Sequence, residues 1–155
     1  RKLPPIGFSI DYSGTAMTAE RFPASDCYLK LSRPPGGSLE FVVKSYRSET
    51  HNHSALKYLI QDFASDIGLP VKMGKTSTIR IGKIDRRSRE FVAGRGLSRK
   101  KWVAAIIPSP DGGPYGLLAI FGLYIGSNGI GKDVSFSENQ VFSQLMSGFE
   151  LMGSS

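Results

Sequence analysis

Two histidines, one cysteine and one glycine-rich loop are the residues of this chain whose types most readily carry chemistry. His51-Asn52-His53 places two imidazoles at i and i+2, with Glu49 close by. In an extended segment such a pair could clamp a metal ion. At a helix entrance the rings point to different sides, and no third histidine exists to complete a site. Surface or capping positions are therefore expected, and no metal is assigned. Gly126-Ser127-Asn128-Gly129-Ile130-Gly131-Lys132 satisfies the first part of a phosphate-loop pattern. The next residue is Asp133, where magnesium would need Ser or Thr, and Val134-Ser135-Phe136 opens no helix. A carboxylate there repels phosphates, so a flexible glycine loop is read and no cofactor is expected. Cys27, the only cysteine, can form neither an internal disulfide nor a multi-thiolate site, and leaves the compartment open. With no Gly-x-Ser-x-Gly elbow and with scattered carboxylates, no catalytic residue is assigned; enzyme is the weaker class.

The basic residues are more informative. The formal net charge is +7, and it is local. From Lys83 to Lys101 there are eight basic and two acidic residues, against 12 basic and 11 acidic elsewhere. A basic segment on a near-neutral body favours a phosphate backbone or a carboxylate-rich protein face. The bland alternative is a solvated loop. Five of the eight are arginines, whose planar forks suit bidentate pairing, which favours a contact surface. Arg86, Arg87, Arg89, Arg95, Arg99, Lys100 and Lys101 are the candidate partner-binding residues. Phe91 and Trp102 interleave or follow the run, as in a nucleic-acid binder, but their strand positions assign them to the core.

Elements to position these residues follow from periodicity. Ile6 to Asp11 alternates as a first strand. Cys27 to Leu31 and Leu39 to Tyr46 flank Pro34-Pro35-Gly36-Gly37 as a hairpin, with Leu39, Phe41 and Val43 facing one way. Leu56, Leu59, Ile60, Phe63 and Ile67 form one stripe of a helix between Thr50 and Gly68, capped by Thr50 or Asn52. Strands follow at Ser77 to Ile84, Arg89 to Ala93, Trp102 to Ile107 and Tyr115 to Ile125, the last two joined by a Pro/Gly-rich hairpin loop and expected to be the most buried. A closing helix starts from a Ser137/Gln140 capping box, carries Val141, Phe142, Leu145 and Met146, and stops at Gly148. Phe149 and Leu151 follow as a short apolar tail. Two helices and hairpin-linked strands make an α+β fold with an antiparallel sheet of about six or seven strands.

At 155 residues and 40% hydrophobic content, one domain spanning 1–155 is expected. The longest apolar stretch, Tyr115 to Ile125, is 11 residues and too short to span a bilayer. Arg1-Lys2-Leu3-Pro4-Pro5 does not read as a signal peptide, and without an initiator Met the chain reads as a mature product or an excised domain.

The order of elements is similar to the PsbP-like α/β/α sandwich. Within that group the chain most resembles the C-terminal domain of immunity proteins that neutralise type VI secretion lipase effectors. Gly7-Phe8-Ser9-Ile10-Asp11 resembles that family's opening, Pro35 to Val43 with Leu39-Glu40-Phe41 its turn into a strand, and Ser137 to Ser147 its closing helix. Ser9 stands where the family has Cys, and Gly94-Arg95-Gly96-Leu97 where it has an acidic pair. The resemblance implies a non-enzymatic inhibitor, usually periplasmic, that sits on an effector and blocks its active site or lid. The partner expected here is an effector with an acidic surface. Two alternatives remain: a binder of nucleic acid or anionic surfaces using the same patch, in which case the cytoplasm is also open, and a secretion-system accessory chaperone with an apolar groove beside Leu117 to Ile125.

Overall fold

The computed structural model describes residues 6–21, 27–33, 39–66, 68–94, 100–124, 136 and 139–151. In chain order the elements are β1 (Phe8–Ile10), β2 (Thr18–Arg21), β3 (Cys27–Arg33), β4 (Leu39–Arg47), α1 (His53–Asp66), β5 (Val71–Ile81), β6 (Ile84–Ala93), β7 (Lys100–Pro108), β8 (Tyr115–Tyr124), α2 (Gln140–Ser147) and β9 (Phe149–Leu151). Seven strands form one sheet in the order β2-β3-β4-β8-β7-β6-β5, while β1 and β9 pair as a separate ribbon. Every pairing is antiparallel. No helix among the described residues is long and apolar enough to cross a membrane.

The layers follow from side-chain alternation along the central strands. In β4, Leu39, Phe41 and Val43 face α2, and Val42 and Tyr46 face α1. Strand β7 splits in the same way, with Val103, Ala105 and Ile107 against Trp102, Ala104 and Ile106, and β8 splits between Leu117, Ala119 and Phe121 on one side and Leu118 and Ile120 on the other. Both faces of β7 and β8 are buried, which explains their nearly unbroken apolar runs. The result is α1 on one face, and α2 with the β1–β9 ribbon on the other. Leu56, Ile60 and Phe63 anchor α1, each contributing about 1.5–3 kcal/mol of burial. Phe91, Trp102 and Phe63 meet there, the first two stacked at 6.0 Å and Phe63 edge-on to Trp102 at 5.3 Å. Gly122, opposite Trp102 in the register, leaves the ring its space: a Cβ there would fall 2.5 Å from it.

Several expectations need correction. The first strand is shorter than Ile6 to Asp11 and lies outside the main sheet, pairing Phe8 with Leu151 and Ile10 with Phe149. The apolar tail is thus a strand. Strand β2 was not expected, because Thr-Ala-Glu-Arg carries no alternating apolar face. The strand expected at Ser77 to Ile84 instead runs from Val71 to Ile81, because Gly82-Lys83 turns the chain and Ile84 opens β6; both strands start earlier than expected, since polar positions on an open sheet face still pair. Asn139 caps α2, its side-chain oxygen accepting the Phe142 N–H at 3.0 Å; Ser137 lies outside the described residues. For α1 the cap is Asn52, which accepts from the Ala55 N–H at 3.0 Å, and Gly68 exits at φ +69°. Ile67 is outside the described residues, as is the Gly126–Lys132 loop.

Candidate partner-binding surface

Strand β5 is one of the two outer strands of the sheet, and its 11 residues are mostly exposed. It returns as β6 through a two-residue turn at Gly82-Lys83, with Gly82 at φ +65°, the positive angle a tight hairpin turn takes at its first position. A bulge between Met73 and Thr76 adds one residue to β5. Gly74 fits that bulge because a Cβ would meet the Glu90 carbonyl oxygen at 2.9 Å. The Gly74 carbonyl accepts from Arg89 Nε at 3.1 Å.

The register gathers charge that the linear sequence separates. Lys72, Lys75 and Arg80 of β5 join Lys83, Arg86, Arg87 and Arg89, so the hairpin carries seven basic and two acidic residues. Thr76 lies opposite Arg89, Thr78 opposite Arg87, and Arg80 opposite Asp85. Arg89 is two residues from Phe91, which packs under α1, so this row lies on the α1 face. Arg87 donates to the His51 carbonyl at 3.0 Å, and Arg80 pairs with Asp85 at 3.1 Å. Exposed pairs of this kind add little to stability and remain available to a partner.

The seven candidate residues do not form one face. Arg86 alternates to the α2 side, where it lines a cleft with Ile107 and Phe149. Lys100 and Lys101 also point to opposite sides. Lys100 lies 5.5 Å over the Trp102 ring and pairs with Glu40, whereas Lys101 lies 5.5 Å over Phe136 and pairs with Glu90 at 3.5 Å. Their side chains are 14% and 15% exposed, so both are largely committed inside the molecule. Arg95 and Arg99 lie outside the described residues. Arg87 and Arg89 are thus the candidates that share a reachable face, and Arg80 joins them only through strand register. Nothing in the linear sequence pointed to Arg80.

His51 is more than a surface residue. Its Nε2–H donates to the Gly113 carbonyl at 2.9 Å, which leaves Nδ1 to accept the Tyr46 hydroxyl at 2.8 Å. This ties the start of α1 to the β7–β8 loop. Burial pushes the Tyr46 hydroxyl well above the ordinary phenol range, with the Arg86 guanidinium pulling the other way. Glycine at 116 is needed beneath it, since a Cβ would sit 2.5 Å from the Tyr46 ring. Among the described residues, no three His, Cys, Asp or Glu converge as a metal set would. The apolar groove considered beside Leu117 to Ile125 does not form over its described core: Leu117 to Phe121 are at most 3% exposed, closed between the layers.

The sequence matches no protein-family model and no curated protein. A solution structure of cyanobacterial PsbP (CyanoP) from Synechocystis sp. PCC 6803 is similar in shape, with a TM-score of 0.56 over 96% of this chain and 95% of that one, at 5% identity. At that identity the likeness is one of fold, and this chain has a PsbP-like α+β sandwich.

Proposed function

We propose that this protein works by docking, as a non-enzymatic immunity-type module that binds and inhibits a type VI secretion effector with an acidic surface. The observation that carries the reading is the excess of basic over acidic residues on the β5–β6 hairpin, seven against two, along the exposed edge of the sheet. Edge strands offer unpaired backbone groups to a partner, and arginines beside them suit carboxylates. Such charge speeds encounter more than it deepens affinity.

Tagged protein, wild type and the Arg87→Glu/Arg89→Glu variant, would be used to capture partners from the native cells. The expected result is a captured protein that is toxic when produced alone, is neutralised by the wild-type chain and is bound at least about tenfold more weakly by the variant. Equal capture by both proteins removes the hairpin from the reading. A captured protein without toxicity, or capture abolished by any generic polyanion, removes the immunity role.

A further inference from the structure

Strand β5 closes the sheet on one side, and β6 is its only partner among the described strands. The β5–β6 turn has two residues, so the closing pair, Ile81 and Ile84, bonds to each other and the pairs alternate from there. Ser77 and Ile79 therefore turn their backbone groups to β6. Thr76, Thr78 and Arg80 turn their N–H and C=O groups outward, and all three are exposed. Cations flank this row at both ends. Arg80 stands at one end, and at the bulge Arg89 crosses over β5, its Nε reaching the Gly74 carbonyl at 3.1 Å. Lys72 and Lys75 follow beyond, and β5 itself holds no carboxylate. The opposite edge strand, β2, has four residues, with Glu20 beside Arg21. Lysines and a bulge on an edge resist pairing with a like strand. A second copy of β5 would bring the same cations from both sides onto one edge, with no acid of its own to offset them, whereas an acidic strand would be drawn to it.

We propose that an extended acidic segment of the partner protein adds to β5 as a further antiparallel strand, bonding the outward backbone groups of Thr76, Thr78 and Arg80 and setting carboxylates beside Arg80 and Arg89. This rests on the docking reading above and specifies how the partner is held. Thr76 and Arg80 are separated by four strand steps, about 13 Å, so the segment's acidic residues fall at i and i+4 on the α1 face, with one position opposite Thr78 between them. On the other face its neighbours are Ser77 and Ile79, and Ile79 packs against the α2-side core, which suits apolar residues there. Main-chain bonds supply the affinity and alternate side chains choose the sequence. Arg80 is free to turn to the newcomer, because its pair with Asp85 is 67% and 61% exposed and holds it weakly.

A blocked octapeptide alternating valine and glutamate, added to the full chain and followed by amide hydrogen exchange, tests this. In the free wild type the Thr76, Thr78 and Arg80 amides should exchange quickly, and saturating peptide should slow them at least about tenfold, with smaller changes at Ser77 and Ile79. A valine–lysine octapeptide has the wrong charge and octaglutamate has little strand propensity, so neither should protect the three amides. Thr78→Pro keeps every cation and removes an N–H that faces away from β6, a placement edge strands tolerate, and should bind the peptide at least about tenfold more weakly. Strand addition is overturned by absent protection at the three amides, by equal protection from either control peptide, or by unchanged affinity in a folded Thr78→Pro protein. Protection that rises with protein concentration alone gives the edge to a second copy and overturns it too. An effector captured equally by wild type and Thr78→Pro, but lost by Arg87→Glu/Arg89→Glu, removes strand addition and leaves the docking reading. Peptide protection in a chain that captures no toxic partner removes the docking reading and leaves the edge site.

Discussion

At the scale of single residues, two close contacts make predictions that packing alone decides. Gly122→Ala places a Cβ 2.5 Å from the Trp102 ring, which Phe91 and Phe63 hold from other sides. The ring has little room to retreat, so the substitution should destabilise the protein by about 1–3 kcal/mol, read as a lower urea midpoint. Tyr46 predicts a pH effect. Its folded pKa is raised by burial, so the unfolded chain loses the phenolic proton at about pH 10 while the folded chain retains it. Stability present below about pH 10 should therefore fall as pH rises further, and Tyr46→Phe should flatten that slope in urea melts above and below this pH. Neither result was legible in the sequence. Tyr46 reads there as one more apolar position in an alternating strand, and the bonds of His51 to Tyr46 and to Gly113 depend on how a helix entrance meets a distant loop.

Elements were far more legible, for a physical reason. The helices α1 and α2 are specified by apolar residues at their own period and the strands β7 and β8 by nearly unbroken apolar runs, and burial on and within the sheet rewards both patterns. Strand β2 lacks such a pattern, and β5 extends through polar residues whose ladder bonds, not their side chains, keep them extended. The α2 boundary shows how local chemistry can offer two answers. Ser137 and Asn139 are both competent caps by type, but it is Asn139 whose oxygen meets the Phe142 N–H. Asn139→Ala should cost about 1 kcal/mol in denaturant unfolding. The charge pattern was half legible: the basic run marks β6 as one arm of a charged hairpin, but strand alternation sends Arg86 and Arg87 to opposite faces, and only pairing brings Arg80 beside Arg87.

For the whole molecule, the separation of charge matters most. Lys100 and Lys101 are engaged with Glu40 and Glu90, so among the described residues the exterior positive field comes chiefly from the β5–β6 hairpin. If that field guides a partner, raising ionic strength from low to physiological should slow association several-fold while leaving dissociation nearly unchanged, as measured by stopped-flow mixing. Charge reversal at Arg87 and Arg89 should remove most of that salt dependence. The sheet itself depends on contacts between distant parts of the chain, as where β4 meets β8 across the hairpin of β5 and β6, and such topologies fold slowly.

The β1–β9 ribbon joins residues 8–10 to residues 149–151, with Phe8 stacked on Phe149 at 5.3 Å. Traction applied through residues 6 and 151 would therefore meet a three-rung ladder first and open it rung by rung, like a zip, before any load reached the seven-stranded sheet. A mechanical record of the molecule should begin with a small, low-force step, followed by a much larger rupture.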